Sequence, residues 1–200
     1  MKISDLQVMD YINSNRFIII TGTSQGRTRM RRLILENIGP KRIIKTRRYY
    51  YSIMNIKDRT LSEVYPLYGS TNCNKDVDDL YNIVSALVRK RRPVIVDSFT
   101  DVQSIVINRF KDVGKNESND LTNWNIIMKQ LEIIINALKT YKKQLILFCD
   151  LKEITEYENG ELKHLGYKPS CMRFINDISQ VIIQANDDET LLIKNIGDIK

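Results

Sequence analysis

Apolar positions along the chain occur in two arrangements: short unbroken runs, and longer stretches spaced three and four residues apart. The unbroken runs are too short for helices and predict buried strands at RFIIIT (16–21), PVIVDSF (93–99) and KQLILFCD (143–150). KRIIKTRRYYY (41–51) predicts a strand with a basic and aromatic surface. Helical spacing appears first within residues 1–15, where Ser4 offers a cap and Leu6, Met9, Tyr11 and Ile12 an apolar face. It returns at 28–38 (Met30, Leu33, Ile34, Ile38), where Gly39-Pro40 predicts a stop. Residues 75–91 carry Val77, Leu80, Val84, Leu87 and Val88, with acids first and bases last, as the helix dipole favours.

Further helices are predicted at 101–112 and at 121–141. The second has Trp124, Ile127, Leu131, Ile134, Ile135 and Leu138 in one stripe. Residues 52–75 are polar and turn-rich, with a short strand expected around EVYPLYG, and 114–120 reads as a polar loop. Residues 151–169 read as a mobile loop or a hairpin, with Asn159-Gly160 as its turn. A short helix near 171–178 precedes QVIIQA and TLLIKNI, two strands joined by NDDE. Alternating strands and helices predict an α/β fold with a mostly parallel sheet, helices on both faces and an antiparallel C-terminal edge hairpin. No repeat or linker divides the chain, so a single domain over residues 1–200 is expected.

Composition narrows the partners. The 200 residues are 42% hydrophobic and 28% charged, within the globular range, and the net charge is +7. A basic balance suits nucleic acid or nucleotide phosphates. Cys73, Cys149 and Cys171 are odd in number and far apart, and His164 is the single histidine. Neither a disulfide framework nor a zinc knuckle follows from them. A reducing, cytoplasmic setting is expected, with no signal peptide and no membrane span.

The stretch with the most chemistry is FIIITGTSQGRTRMRRLIL, residues 17–35. A strand leading through a glycine turn into a helix aims backbone N–H groups at an anion. Gly22, Thr23, Ser24, Gln25, Gly26, Arg27, Thr28 and Arg29 are therefore the candidate nucleotide-binding residues. The pattern G-x-x-x-x-G-K-[ST] asks for Gly at 21 and Lys at 27, where this chain has Thr21 and Arg27. Arginine keeps the charge, but its planar fork does not place one compact ammonium at that point. Thr28 stands at the position of a Mg²⁺-binding hydroxyl. About 70 residues on, Asp97 tips the apolar strand of RPVIVDSFTD, where such sites hold Mg²⁺. Asp150 tips the next such strand, LILFCDLKE.

Basic residues cluster at Arg27–Arg32, at Lys41–Arg48 and at Arg89–Arg92. The middle cluster runs into Tyr49, Tyr50 and Tyr51. Cations beside aromatic rings suit single-stranded nucleic acid, which marks Lys45, Arg47, Arg48, Tyr49 and Tyr50 as DNA-binding candidates.

VIVDSFTD, the Trp124-led helix, LILFCDLKE and GYKPSCMRFINDISQVIIQ follow one another in an order that resembles RecA-like P-loop ATPases of phages and archaeal viruses, of the single-strand annealing type. The resemblance spans roughly residues 17–185. It implies a three-layer RecA-like P-loop fold and ATP and Mg²⁺ as cofactors. Gly26, Arg27 and Thr28 would lie on the nucleotide, Asp97 would support Mg²⁺, and the segment 151–168 would face DNA. A host-cytoplasmic viral protein acting on single-stranded DNA in recombination or replication is the implied function, with a homo-oligomer among the states the resemblance allows. The chain departs from the family at its loop lysine and first loop glycine. It also lacks an evident water-activating acid, for which Glu63 is the nearest candidate, beside Asp97 and Asp150. Two alternatives stand beside this one: a catalytically inactive descendant that binds DNA or protein, and a small P-loop kinase.

Overall fold

The computed structural model describes residues 1–37, 41–46, 62–67, 73–88, 93–111, 120–139, 144–158 and 161–195. These form a mixed α/β structure with mostly parallel strand pairs. The chain divides into two compact units, Met1–Ile38 with Ile146–Lys200, and Gly39–Leu145.

The first unit opens with α1 (Asp5–Ser14). Ser4 and Gln7 cap its start reciprocally, each side chain bonding the other's backbone N–H. Val8, Met9 and Ile12 face inward, whereas Leu6, expected on that face, is exposed. Strand β1 (Phe17–Gly22) is buried along its whole length and runs parallel to β8 (Val181–Ala185), Ile18 opposite Val181 and Gly22 opposite Ala185. Both read as unbroken apolar runs because both faces of the strands are covered. The Gln180 side-chain carbonyl accepts from the Arg16 and Phe17 N–H groups at 2.7 and 2.9 Å and holds the start of β1. The strand order in this unit is β5 (Leu145–Phe148), β1, β8, β9 (Thr190–Asn195). β9 is antiparallel to β8, as the sequence predicts for the last two strands. The free side of β9 is met by the chain start: Ile3 N–H donates to the Thr190 carbonyl and Leu192 N–H to that of Met1. Helix α2 spans Ser24–Asn37 and α6 Arg173–Ile178.

Residues 151–169 form a hairpin. Strands β6 (Leu151–Glu158) and β7 (Glu161–Pro169) pair antiparallel as a two-stranded ribbon, with a register shift between Ile154 and Thr155. The two turn residues lie outside the described set.

In the second unit β2 (Lys41–Thr46) lies between β3 (Ser62–Leu67) and β4 (Val94–Asp97), parallel to both. Helices α3 (Cys73–Val88), α4 (Phe99–Lys111) and α5 (Asp120–Lys139) pack on one another. Their core holds Val77, Leu80 and Val84, then Val102 and Val106, then Ile127, Leu131, Ile134, Ile135 and Leu138. The apolar stripe of α5 thus forms as expected except at its head, where Trp124 is 50% exposed. The Tyr81 hydroxyl donates to Gln130 Oε1 between α3 and α5, and burial raises the tyrosine pKa.

Candidate functional site

The turn between β1 and α2 is shorter than the pattern of glycines suggests. β1 runs through Gly22 and α2 starts at Ser24, so residues 24–27, which precede the helix expected from 28, are already helical. Thr23 explains the early start. Its hydroxyl accepts from the Gly26 N–H at 3.1 Å, and its carbonyl accepts from Arg27 N–H at 2.9 Å, which is the bonding of a helix cap. The same hydroxyl donates to the Asp187 carboxylate, which places an acidic group at the first turn of α2. The helix dipole favours a negative charge there.

Gly22 and Gly26 serve a close approach between main chains. Thr23 N–H donates to the Ala185 carbonyl at 3.1 Å, and the end of β8 lies directly against the turn. A Cβ on Gly22 would stand 1.8 Å from the Ala185 carbonyl oxygen, and one on Gly26 2.0 Å from the same atom and 2.7 Å from the Asn186 carbonyl oxygen. Gly22 also holds φ +137°, which side chains rarely adopt.

Arg27 turns inward. It is 7% exposed, its Nη1 donates to the Gly22 carbonyl at 2.9 Å and the Cys149 carbonyl at 3.4 Å, and its Nη2 lies 2.8 Å from Asp150 Oδ1. Asp150 is tied down in turn, its backbone carbonyl accepting from the Thr21 hydroxyl at 3.0 Å. A guanidinium with several donors in a fixed fork can serve two carbonyls and a carboxylate together; an ammonium cannot hold the same geometry. Thr28 directs its hydroxyl back to the Ser24 carbonyl at 2.9 Å, and Arg31 reaches that hydroxyl at 3.3 Å while lying over the Phe148 ring. Arg29 donates to the Thr190 hydroxyl through Nη2. Ser24, Gln25 and Thr28 are exposed.

The structure therefore brings Arg27 and Asp150 together, a pairing the sequence reading did not anticipate, along with Asp187 at Thr23. Next to them the Cys149 thiol is pushed well above the ordinary thiol range by its hydrogen bond with Cys171 and by burial. The Cys171 thiol itself donates to Asn176 Oδ1 at 3.1 Å. No family model and no curated protein matches the chain.

In the second unit Asp97 ends β4, 2% exposed, opposite Lys45 in the β2–β4 register, and its peptide bond to Ser98 is cis. The Ser98 hydroxyl accepts from the Asp101 N–H and starts α4. Glu63 is opposite Arg42 in the β2–β3 register. Arg47, Arg48, Tyr49 and Tyr50 lie outside the described residues. Among the described residues no group of three or more His, Cys, Asp or Glu side chains is placed to hold a metal ion, and no helix is long and apolar enough to cross a membrane.

Proposed function

We propose that the chain is a RecA-like P-loop descendant that binds single-stranded nucleic acid without using ATP. One observation carries this reading: the Arg27 guanidinium is engaged by Gly22, Cys149 and Asp150. A cation that reads a phosphate has to face it, and Arg27 could do so only by leaving a mostly buried carboxylate behind. Breaking such a pair costs about 3–5 kcal/mol when both partners are fully buried. The space beside Gly22 and Gly26 is bordered by the Ala185 and Asn186 carbonyls, which repel an anion. Thr28 spends its hydroxyl on its own helix. In this arrangement the turn does not fit a nucleotide triphosphate with Mg²⁺, and it serves as a rigid joint between β1, α2 and β8.

Nucleic acid remains the best-supported partner. The net charge of +7 and the Lys/Arg-rich stretch that leads into Tyr49–Tyr51 are residue types that suit phosphates and stacked bases. A second reading, ATP bound at Gly22–Thr28, is favoured by the exposed Ser24, Gln25 and Thr28 on the first turns of α2. Fluorescence anisotropy of a labelled oligothymidine, titrated at several salt concentrations with and without ATP and Mg²⁺, separates the two. Binding that weakens with salt and ignores ATP is the expected result. ATP binding that disappears in Arg27→Ala would establish the second reading. Absence of oligonucleotide binding at low salt would sink the first.

A further inference from the structure

The β6–β7 ribbon has two unlike faces. Antiparallel pairing puts Tyr157 beside Leu162, Glu153 beside Tyr167 and Leu151 beside Pro169 on one side. On that side Tyr157 is 73% exposed, Leu162 69% and Tyr167 51%. Its polar groups bond one another, since His164 Nδ1 lies 2.6 Å from Glu153 Oε1 and the His164 ring lies tilted near Tyr167. The other side is charged and polarised along its length. Lys152 lies opposite Lys168 at the base, Glu156 opposite Lys163 in the middle, and Glu158 opposite Glu161 at the tip, where Lys163 Nζ reaches Glu158 Oε2 at 3.3 Å and leaves Glu161 as the main acidic group.

Such a ribbon is incomplete by two physical criteria. A two-stranded hairpin is at best marginally stable and gains from a third strand or a covered apolar face. Like charges directly across a strand pair are unfavourable, and this ribbon carries one such pair at each end, of opposite sign.

We propose that the β7 edge pairs antiparallel with the β7 edge of a second copy of the chain, forming a four-stranded sheet about a two-fold axis. This partner is selected by charge: reversing the ribbon end to end sets the basic base of one copy on the acidic tip of the other. With Glu161 of one copy opposite Lys168 of the other, Leu162 falls opposite Tyr167, and the two-fold axis makes each contact twice. Among the described strands β7 pairs with β6 alone, and residues 161–165, 167 and 168 are exposed, so this edge of the ribbon is open to pairing. Nucleic acid is a poorer occupant, because the ribbon carries four glutamates against three lysines while the whole chain is net positive.

The experiment is sedimentation equilibrium of the full chain over a range of concentrations, with charge-exchange variants. A reversible dimer is expected. Glu161→Lys and Lys168→Glu should each weaken it by roughly tenfold, because each creates two repulsive contacts in a symmetric interface. The double variant, which exchanges the charges, should return the affinity toward wild type. Within one copy Glu161→Lys turns a repulsive pair with Glu158 into an attractive one, so its melting temperature at monomeric concentration should not fall. A dimer that the single variants leave unchanged overturns the proposal, as does a double variant no tighter than the singles. A wild type monomeric at every concentration also overturns it. If such a monomer also loses oligonucleotide affinity on Tyr157→Ala, the ribbon serves nucleic acid instead.

Discussion

Replacing Arg27 by methionine tests whether that side chain is a structural bond or a ligand-binding group. Methionine keeps much of the volume and removes the charge. The variant strands Asp150, whose side chain is 30% exposed, and takes a charged donor from the Gly22 and Cys149 carbonyls. Loss of one partner from a fully buried pair costs about 3–5 kcal/mol, and an exposed pair contributes ~0–1 kcal/mol. Partial hydration of Asp150 moves the expected cost to roughly 2–4 kcal/mol, between those limits. For a chain of this size each kcal/mol lowers the melting temperature by about 2–4 °C, so a fall of roughly 4–16 °C is expected. Thermal and urea unfolding followed by circular dichroism would measure it. Adding Asp150→Leu to Arg27→Met should recover part of the loss, since no unpaired charge is then left, and the coupling should exceed about 1 kcal/mol. Arg27→Lys should fall between wild type and Arg27→Met. An Arg27→Met protein within about 0.5 kcal/mol of wild type would refute the structural role. A wild type stabilised by ATP, with no such gain in Arg27→Met, would refute it in favour of a nucleotide contact.

Three further outcomes follow from the same unit. Gly26→Ala, which in an open helix stabilises by up to ~1 kcal/mol, should here destabilise by about 1–3 kcal/mol, because the new methyl meets the Ala185 and Asn186 carbonyls; a neutral urea midpoint would contradict that close approach. Gln180→Ala should cost roughly 1–3 kcal/mol by leaving the Arg16 and Phe17 N–H groups unpaired, and Gln180→Glu should restore most of it; equal unfolding curves for all three proteins would count against this role. The raised Cys149 pKa means the folded chain keeps a thiol proton that the unfolded chain releases above its ordinary value, 9.0. Its stabilisation is thus complete below that pH and is lost as pH climbs toward the folded value. Urea midpoints should therefore decline above about pH 9 with a slope that Cys149→Ala reduces. An unchanged slope would remove Cys149 as its source.

Strands β1, β4, β5 and β8 could be read because each is buried along its whole length, so that unbroken runs such as FIII and LILF have no other stable place. Helix α1 was legible from Ser4 and the spacing of Met9 and Ile12, because a cap is a local device; the part Gln7 plays in it was not read. The turn at residues 22–28 was not, for reasons that lie far along the chain. A glycine's missing side chain gives the same letter whether a phosphate or a carbonyl fills the space, and here the carbonyl belongs to Ala185. Arg27 looks like a substituted lysine until Asp150, more than a hundred residues later, is seen beside it. Asp187 lies in a short polar link between strands and carries no sign that it will meet Thr23. Trp124 misled in the other direction: it continues the apolar spacing of α5, but the described end of that helix leaves its ring half exposed.

The discontinuity of the first unit has a consequence for how the chain is made. β1 leaves the ribosome as a bare run of Phe17, Ile18, Ile19 and Ile20, and its neighbours follow far behind it, β5 from Leu145 and β8 only from Val181. At synthesis rates of about 5–20 residues per second, the intervening stretch of about 160 residues takes roughly 8–32 s to appear. The contiguous unit, Gly39–Leu145, is completed within that interval. Until β5 appears the strand has no mate, and until β8 appears one of its edges stays open. Expression conditions that slow translation should therefore send more of the chain into aggregates, and exchanging Ile18 or Ile20 for valine should shift that loss more than the stability of the finished fold.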